Sequence, residues 1–174
     1  MLTKYVPDMY YKSIYTINYE KLLNRNIKCI LFDLDNTLVS ASVNSTSKEL
    51  KELIYNIKNM GFKVIINSNS PKQRISSFMN ELCIDACAFA MKPKINSYIK
   101  IMNKYNFKPS EVAAVGDRLT TDIYGANKAQ VLSILVNPIS TKDLFATTIN
   151  RKLEKIVLNK LRKKDLFTKG VYYD

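Results

Sequence analysis

Two aspartates on alternate positions follow a short apolar segment early in the chain. Asp33 and Asp35 come directly after residues 28–32, and Thr37 adds a hydroxyl close by. If residues 28–32 form a buried strand, Asp33 lies just beyond its carboxyl end, where open parallel sheets bind ligands. Neighbouring carboxylates repel each other unless a cation or a proton separates them. The pattern therefore indicates a divalent metal, with an acid/base role for one of the two carboxylates.

Three later apolar segments, at 62–66, 86–90 and 112–115, also end in polar residues. Because the carboxyl ends of parallel strands meet at one edge of a sheet, we expect these polar residues to approach Asp33. A lone serine or lysine in a loop is commonly solvated, but an ordered set at strand ends points to a single site. The polar residues that follow these segments are, in chain order, Ser68 with Asn69, Lys92, and Asp117 with Asp122.

Segments with helical patterns separate the strands. Residues 46–49 have the sequence of a capping box, apolar residues at helical spacing follow, and Gly61 is typical of a helix end. Ser70 followed by Pro71 is typical of another helix start, with Ser70 as the N-cap. A last strand is predicted at 131–136. Since strand and helix alternate, the predicted fold is α/β and Rossmann-like, with three layers and a parallel sheet.

Composition excludes several classes of function. The 174 residues suit a single domain over 1–174, and the longest apolar runs are too short to cross a membrane. The chain has no histidine, which excludes Ser-His-Asp catalysis and histidine-ligated zinc. Its three cysteines form no CxxC pair, which favours reduced thiols in the core of a cytoplasmic protein. The net charge of +12 favours phosphate-bearing partners such as nucleic acid, anionic lipid or a phosphorylated substrate.

The two ends of the chain have distinct compositions. Residues 1–26 are rich in tyrosine and are interpreted as a packed aromatic arm. Residues 142–164 are predicted to form one long basic helix within a C-terminal segment at 142–174. Its outer face is either simply solvated or binds an anionic membrane or nucleic acid. The apolar stripe predicted for this helix consists of Leu153, Ile156, Val157 and Leu161.

The stretch from Asp33 to Thr37 resembles the DxDxT motif of the haloacid dehalogenase superfamily of phosphohydrolases. The later polar groups match the other three motifs of that superfamily in order. The resemblance implies a Mg²⁺-dependent phosphatase that forms an aspartyl-phosphate. It also implies the metal ligands, which are Asp33, Asp117 and the backbone carbonyl of Asp35, with Asp122 holding the metal directly or through water.

The same resemblance implies a role for each remaining motif residue. Asp33 is the nucleophile, and Asp35 protonates the leaving oxygen and then activates water. Thr37 orients the turn. The phosphoryl oxygens are bound by Ser68 and the amide of Asn69, and Lys92 offsets charge between Asp33 and the phosphoryl group.

Neither 39–46 nor 70–91 has room for the lid domain that larger superfamily members carry. An open site accepts phosphate on a bulky molecule more readily than it encloses a small metabolite. The whole chain is similar to the YqeG group of capless subfamily IIIA phosphatases, which is related to mitochondrial phosphatidylglycerophosphate phosphatases. This resemblance implies a lipid phosphomonoester substrate in phospholipid synthesis, and a cytoplasmic enzyme in peripheral contact with an anionic membrane.

Two other interpretations stay open. One is a capless phosphatase for nucleotides, nucleic-acid ends or phosphoproteins. The other is a protein that binds RNA or the ribosome through its basic surface and keeps a vestigial site. The complete motif set argues against the second alternative.

Overall fold

The computed structural model describes the backbone of residues 2–140 and 148–174, and the side chains of 2–140 and 152–174. Six parallel strands form one sheet in the described part of the chain. They are β1 (Met9–Tyr11), β2 (Cys29–Phe32), β3 (Lys63–Asn67), β4 (Asp85–Cys87), β5 (Val112–Gly116) and β6 (Leu132–Val136).

Helices cover both faces of this sheet. They are α1 (Tyr19–Asn24), α2 (Lys48–Asn59), α3 (Lys72–Leu82), α4 (Asn96–Tyr105), α5 (Tyr124–Ala129) and α6 (Thr148–Arg162). Because successive strand side chains alternate between faces, Phe32 joins a core with Ile54 of α2, whereas Leu31 joins a separate core with Tyr98 of α4. The predicted three-layer α/β fold with a parallel sheet is therefore confirmed.

The strand order β1-β6-β5-β2-β3-β4 has a switch point at β2. From β2 the chain first builds outward through β3 and β4, and then returns to the other side of β2 to form β5. Phe32 is level with Ile66 of β3 and with Val115 of β5. The residues that follow these three strands therefore meet at the carboxyl edge beside the switch point, where such sheets bind ligands.

The N-terminal region differs from the interpretation as an aromatic arm, because it contributes a strand. β1 pairs in parallel with β6, and Met9 and Tyr10 are fully buried. Tyr173, near the C-terminus, then pairs antiparallel with Tyr10. A three-residue strand is too short to show a periodic pattern in the sequence.

Two predicted helix starts are corrected by the structure. The N-cap of α2 is Ser47, whose side chain accepts from the Leu50 amide, whereas the amide and hydroxyl of Thr46 donate to Glu81. At α3 the N-cap position is Pro71, and the Ser70 hydroxyl donates instead to Asp35. The prediction that Gly61 ends α2 agrees with its φ of +100°. The Ser70 side chain therefore contributes to the site through Asp35 and does not cap α3.

The basic helix is α6, which begins at Thr148, so the predicted residues 142–147 lie outside the described part of the chain. Val157 and Leu161 pack against Leu119 and Tyr10 as part of a third core. The predicted apolar stripe is wrong for its other two members, because Leu153 and Ile156 are exposed.

The cysteines are free thiols with different environments. Cys29 is buried in β2, as predicted for a core residue, and burial raises the pKa of its thiol to about 12. Cys83 is exposed at a left-handed position after α3, so the core interpretation is wrong for it. Among the described residues, no helix is both long and apolar enough to span a bilayer.

Candidate active site

Three aspartates and one lysine meet at the carboxyl edge of the sheet. Carboxylate oxygens of Asp33, Asp117 and Asp122 all lie within 4.8 Å of one another. Lys92 Nζ lies 2.7 Å from Asp33 Oδ1 and 2.6 Å from Asp122 Oδ1. All four side chains are largely buried, with Lys92 only 4% exposed. The predicted residues from motifs one, three and four are thus brought together in one cluster.

Backbone geometry explains how the aspartates approach so closely. The Asp33 amide donates to the Val115 carbonyl at 2.9 Å, which extends the ladder between β2 and β5 by one residue. Gly116 is required at the end of β5, because a Cβ there would lie 2.3 Å from Asp122 Cγ. Asp122 belongs to a π-helical turn (Leu119–Ile123) and accepts from the Arg118 amide at 3.1 Å. Such π-turns recur at functional sites.

The cluster carries more negative than positive charge in a buried place. Burial raises the pKa of Asp33 to about 6 against the opposing attraction of Lys92. Burial and the neighbouring charges of Asp122 and Asp33 raise the pKa of Asp117 well above its usual range. Burial alone would lower the pKa of Lys92, but the carboxylates beside it outweigh burial and raise that pKa. Three hard oxygen donors with surplus negative charge suit a divalent cation such as Mg²⁺.

Asp35 and Thr37 lie at the border of the cluster. Thr37 Oγ1 donates to Asp117 Oδ1 at 3.2 Å and so orients that carboxylate. The carboxylate of Asp35 lies outside the group of mutually close acidic oxygens and faces α3. There Oδ1 accepts from Arg74 Nη2 at 2.8 Å and from Nε at 3.1 Å, while Oδ2 accepts from the Ser70 hydroxyl.

The residues after β3 support Lys92. The Asn69 side chain accepts from the Lys92 amide at 2.7 Å and donates to the Lys92 carbonyl at 3.1 Å. Ser68 is buried, and its hydroxyl accepts from the Ser70 amide at 3.2 Å. Asn69 therefore positions the buried lysine through its side chain, a contact that the sequence interpretation did not include.

Arg74 was missed by the sequence analysis. Besides Asp35, its guanidinium donates to the Val43 carbonyl, to Asn44 Oδ1 at 2.8 Å and to the Ser40 carbonyl at 3.3 Å. It thereby ties α3 to the loop after motif one. An arginine in the first turn of a helix gives no sequence signal for such a contact.

Glu154 of α6 was also missed. Its carboxylate accepts from the Leu119 amide at 2.7 Å, the Thr120 amide at 3.2 Å and the Thr120 hydroxyl at 2.8 Å. These donors start the π-helical turn that carries Asp122, and a carboxylate at that end satisfies free amides. Glu154 is the one acidic residue between 148 and 162, which was the signal available in the sequence.

Comparison with known proteins identifies the family. The profile of the haloacid dehalogenase-like hydrolases matches residues 44–130. The chain is 36% identical over 165 residues to the protein named Probable phosphatase YqeG of Bacillus subtilis (strain 168), covering 94% of this chain and 96% of that protein. The chain belongs to the haloacid dehalogenase-like hydrolase family. The predicted resemblance to this family and its YqeG group is confirmed.

Two further proteins are similar to this hydrolase, one in sequence and one in fold. It is 25% identical over 171 residues to Phosphatidylglycerophosphate phosphatase 1, chloroplastic/mitochondrial, of Arabidopsis thaliana, covering 92% of this chain and 49% of that protein. The fold matches the cobalt-bound deoxy-D-mannose-octulosonate 8-phosphate phosphatase of Haemophilus influenzae with a TM-score of 0.51, 17% identity, and coverage of 86% and 96%. The prediction of an enzyme of the phosphatase type is confirmed, as is the prediction of a fold without a large cap domain for the residues that the structure describes.

Proposed function

We propose that this hydrolase cleaves phosphomonoesters through an aspartyl-phosphate on Asp33. The observation that carries the proposal is the buried cluster of Asp33, Asp117 and Asp122 around Lys92. A transferred phosphoryl group bears several negative oxygens, so an anionic nucleophile needs positive charge beside it. Lys92 supplies one such charge, and the surplus of carboxylates provides for a metal ion.

The metal proposed for this cluster is Mg²⁺. Asp33, Asp117 and Asp122 would hold it, together with the backbone carbonyl of Asp35. The donor set supports this assignment, because it consists of hard oxygens and buries more negative charge than Lys92 neutralises. When bound, Mg²⁺ supplies charge neutralisation for the phosphoryl oxygens.

The side chains then act in two steps. In the first, an Asp33 oxygen bonds to phosphorus, the bond to the leaving oxygen breaks, and Asp35 gives its proton to that oxygen. In the second, water bonds to phosphorus, Asp35 takes the water proton, and the bond from Asp33 to phosphorus breaks to release inorganic phosphate. Ser68 and the Asn69 amide hydrogen-bond the phosphoryl oxygens, and Thr37 keeps Asp117 oriented.

The test is hydrolysis of p-nitrophenyl phosphate with Mg²⁺ and with excess EDTA. We expect turnover only with the metal, and none in Asp33→Asn, which is nearly isosteric but lacks the anionic nucleophile. A beryllium fluoride or aluminium fluoride adduct should form with the wild type alone. Turnover in EDTA would contradict the metal-assisted reaction, and a near-normal rate in Asp33→Asn would contradict the nucleophile assignment.

The substrate class proposed is a lipid phosphomonoester, phosphatidylglycerophosphate, hydrolysed by a cytoplasmic enzyme at a membrane surface. This class is supported by the similarity to the Arabidopsis protein and by the lack of a large cap domain in the described part of the chain. The test compares phosphatidylglycerophosphate in mixed micelles with nucleotides, 5′-phosphorylated oligonucleotides and a phosphopeptide. A preference for one of the latter would replace the lipid by that class, and salt-sensitive RNA binding without hydrolysis would favour a binding protein.

A further inference from the structure

Four large apolar side chains are exposed on segments that adjoin the site. We call Val43, Phe89, Met91 and Ile139 the apolar rim. Single exposed apolar residues are ordinary on protein surfaces, but a group around one opening is a mark of an interaction site. Their exposed fractions are 40% for Val43, 62% for Phe89, 59% for Met91 and 52% for Ile139.

Two members of the apolar rim are attached to the partners of Asp35. Arg74 donates to the Val43 carbonyl with the same guanidinium that binds Asp35. The Phe89 amide donates to the Ser70 carbonyl at 3.1 Å, and the Ser70 hydroxyl donates to Asp35. The backbone segments that carry these two side chains therefore adjoin the proposed acid/base residue.

The other two members are attached to the motif segments themselves. Met91 directly precedes Lys92. The Ile139 amide donates to the carbonyl of Asn36 at 2.9 Å, next to Asp35. Each member of the apolar rim is thus carried by a segment that is bonded to, or next in sequence to, a residue of the site.

The backbone conformation at Phe89 and Met91 is strained. Phe89 has a φ of +48° and Met91 a φ of +54°, in the left-handed region that large side chains avoid. The segment is held there by bonds from the Ala90 amide to the Ser68 carbonyl at 2.9 Å and from the Lys94 amide to the Met91 carbonyl at 2.9 Å. Strain and apolar exposure at the same two positions indicate that these side chains meet an apolar surface.

We propose that the apolar rim docks on a bilayer that contains anionic lipid, so that the site opens onto phosphate groups at the membrane surface. Exposed Lys94 follows Met91 closely in sequence, exposed Lys72 lies between Ser70 and Arg74, the two partners of Asp35, and the chain carries a net charge of +12. Apolar side chains flanked by lysines suit the interface of an anionic membrane. A second copy is a poorer occupant, because two such basic surfaces repel each other. The biological role of this docking rests on the proposed function, but vesicle binding can be measured whether or not the protein hydrolyses a phosphate ester.

The experiment measures binding to vesicles of phosphatidylcholine with and without phosphatidylglycerol. The variant is Phe89→Asn with Met91→Asn, because asparagine tolerates the left-handed backbone and should preserve the fold. We expect the wild type to bind the anionic vesicles and the double variant to bind them at least about tenfold more weakly, as loss of two buried apolar side chains implies. A thermal unfolding curve verifies that the variant is folded.

The matched control is Tyr55→Gln, which removes an equally exposed aromatic side chain from α2. Tyr55 lies in a hollow shared with Lys58 and Cys83 and not at the opening, so this variant should bind vesicles like the wild type. Equal binding by the double variant, or no binding by the wild type, overturns the proposal. A wild-type dimer that the double variant abolishes also overturns it, in favour of a second copy.

Hydrolysis of p-nitrophenyl phosphate by the wild type separates this proposal from the proposed function. Vesicle binding through the apolar rim without hydrolysis would support the docking surface and contradict the reaction. Hydrolysis without vesicle binding would support the reaction and contradict the docking surface. Where both are present, the ratio of activity on vesicle-borne lipid phosphate to activity on the soluble ester should fall about tenfold or more in the double variant.

Discussion

Replacing Asp117 by asparagine should make the metal-free protein more stable while weakening its response to Mg²⁺. Asp117 is almost completely buried beside Asp33 and Asp122, and its pKa lies well above the usual range because of burial and these two charges. The asparagine side chain would keep an acceptor for the Thr37 hydroxyl but remove a like charge. On the proposed assignment, the native aspartate would stabilise the metal-bound state at the expense of the metal-free fold.

The size of the effect can be bounded. Like charges about 4.8 Å apart, the limit for these oxygens, repel by about 3.5 kcal/mol per pair at an effective dielectric constant of about 20. Protonation limits the penalty, because neutralising an aspartate with the ordinary pKa of 3.8 at pH 7 costs about 4.4 kcal/mol. Arg118 Nε, 4.0 Å from Asp117 Oδ2, offsets part of the repulsion. We expect the free energy of unfolding to rise by about 1–4 kcal/mol. Tm should rise by about 2–4 °C for each kcal/mol.

The assay is thermal and urea unfolding at pH 7 in EDTA and in millimolar Mg²⁺. The wild type should gain stability with Mg²⁺, and Asp117→Asn should gain less, because stabilisation by a ligand follows its affinity for the folded state. The control is Asp85→Asn, which removes a partly exposed carboxylate whose pKa is lowered, first of all, by its hydrogen bond from Lys63. That variant should not gain stability.

One result would refute this reasoning. If Asp117→Asn lowered the stability of the metal-free protein, the carboxylate would be held favourably by its neighbours, and the cluster would not carry surplus negative charge. An unchanged response to Mg²⁺ would remove Asp117 from the metal ligands.

Three further predictions concern Asp33, Arg74 and the basic residues at the end of α6. Because burial raises the pKa of Asp33 to about 6, its contribution to metal-free stability is full below about pH 4 and is lost as the pH rises through 6. The unfolding free energy of the wild type relative to that of Asp33→Asn should therefore fall by about 2–3 kcal/mol over that range. A difference that does not change with pH would contradict the raised pKa. Arg74→Met should lower kcat/KM about tenfold more for an alkyl phosphate than for p-nitrophenyl phosphate, because a poor leaving group depends more on the proton from Asp35. Arg74→Lys should recover part of this loss. Equal losses on the two substrates would show that Arg74 does not position Asp35. Replacing the basic residues 162–164 by glutamine should weaken binding to anionic vesicles by about 1 kcal/mol per charge with little change in hydrolysis of a soluble ester, and salt-sensitive RNA binding by this tail would favour nucleic acid instead.

The main elements of the fold were predictable because their patterns are local. Apolar spacing predicts the buried strand before Asp33 and helix α2, and Gly61 is the turn residue that predicts the end of α2. The strand at Met9–Tyr11 was not predictable, since three residues show no period and its stability comes from pairing with β6, more than a hundred residues away. Similarly, Ser70 has the sequence of a helix cap, but the structure places the N-cap position at Pro71 and the Ser70 hydroxyl donates to Asp35.

The sequence by itself determined which groups stand at the carboxyl edge. Asp33, Lys92 and Asp117 each follow an apolar segment, and parallel strands bring such positions to one edge whatever packs around them. Only the tertiary structure decided what each group touches beyond that edge. Arg74 on Asp35 and Glu154 on Leu119 join residues about 35 or more positions apart, and such contacts depend on how helices pack on the sheet. The exposure of the apolar rim also depends on tertiary packing. Whether an isoleucine or a phenylalanine is buried or exposed is decided by its neighbours in space and not by its residue type alone.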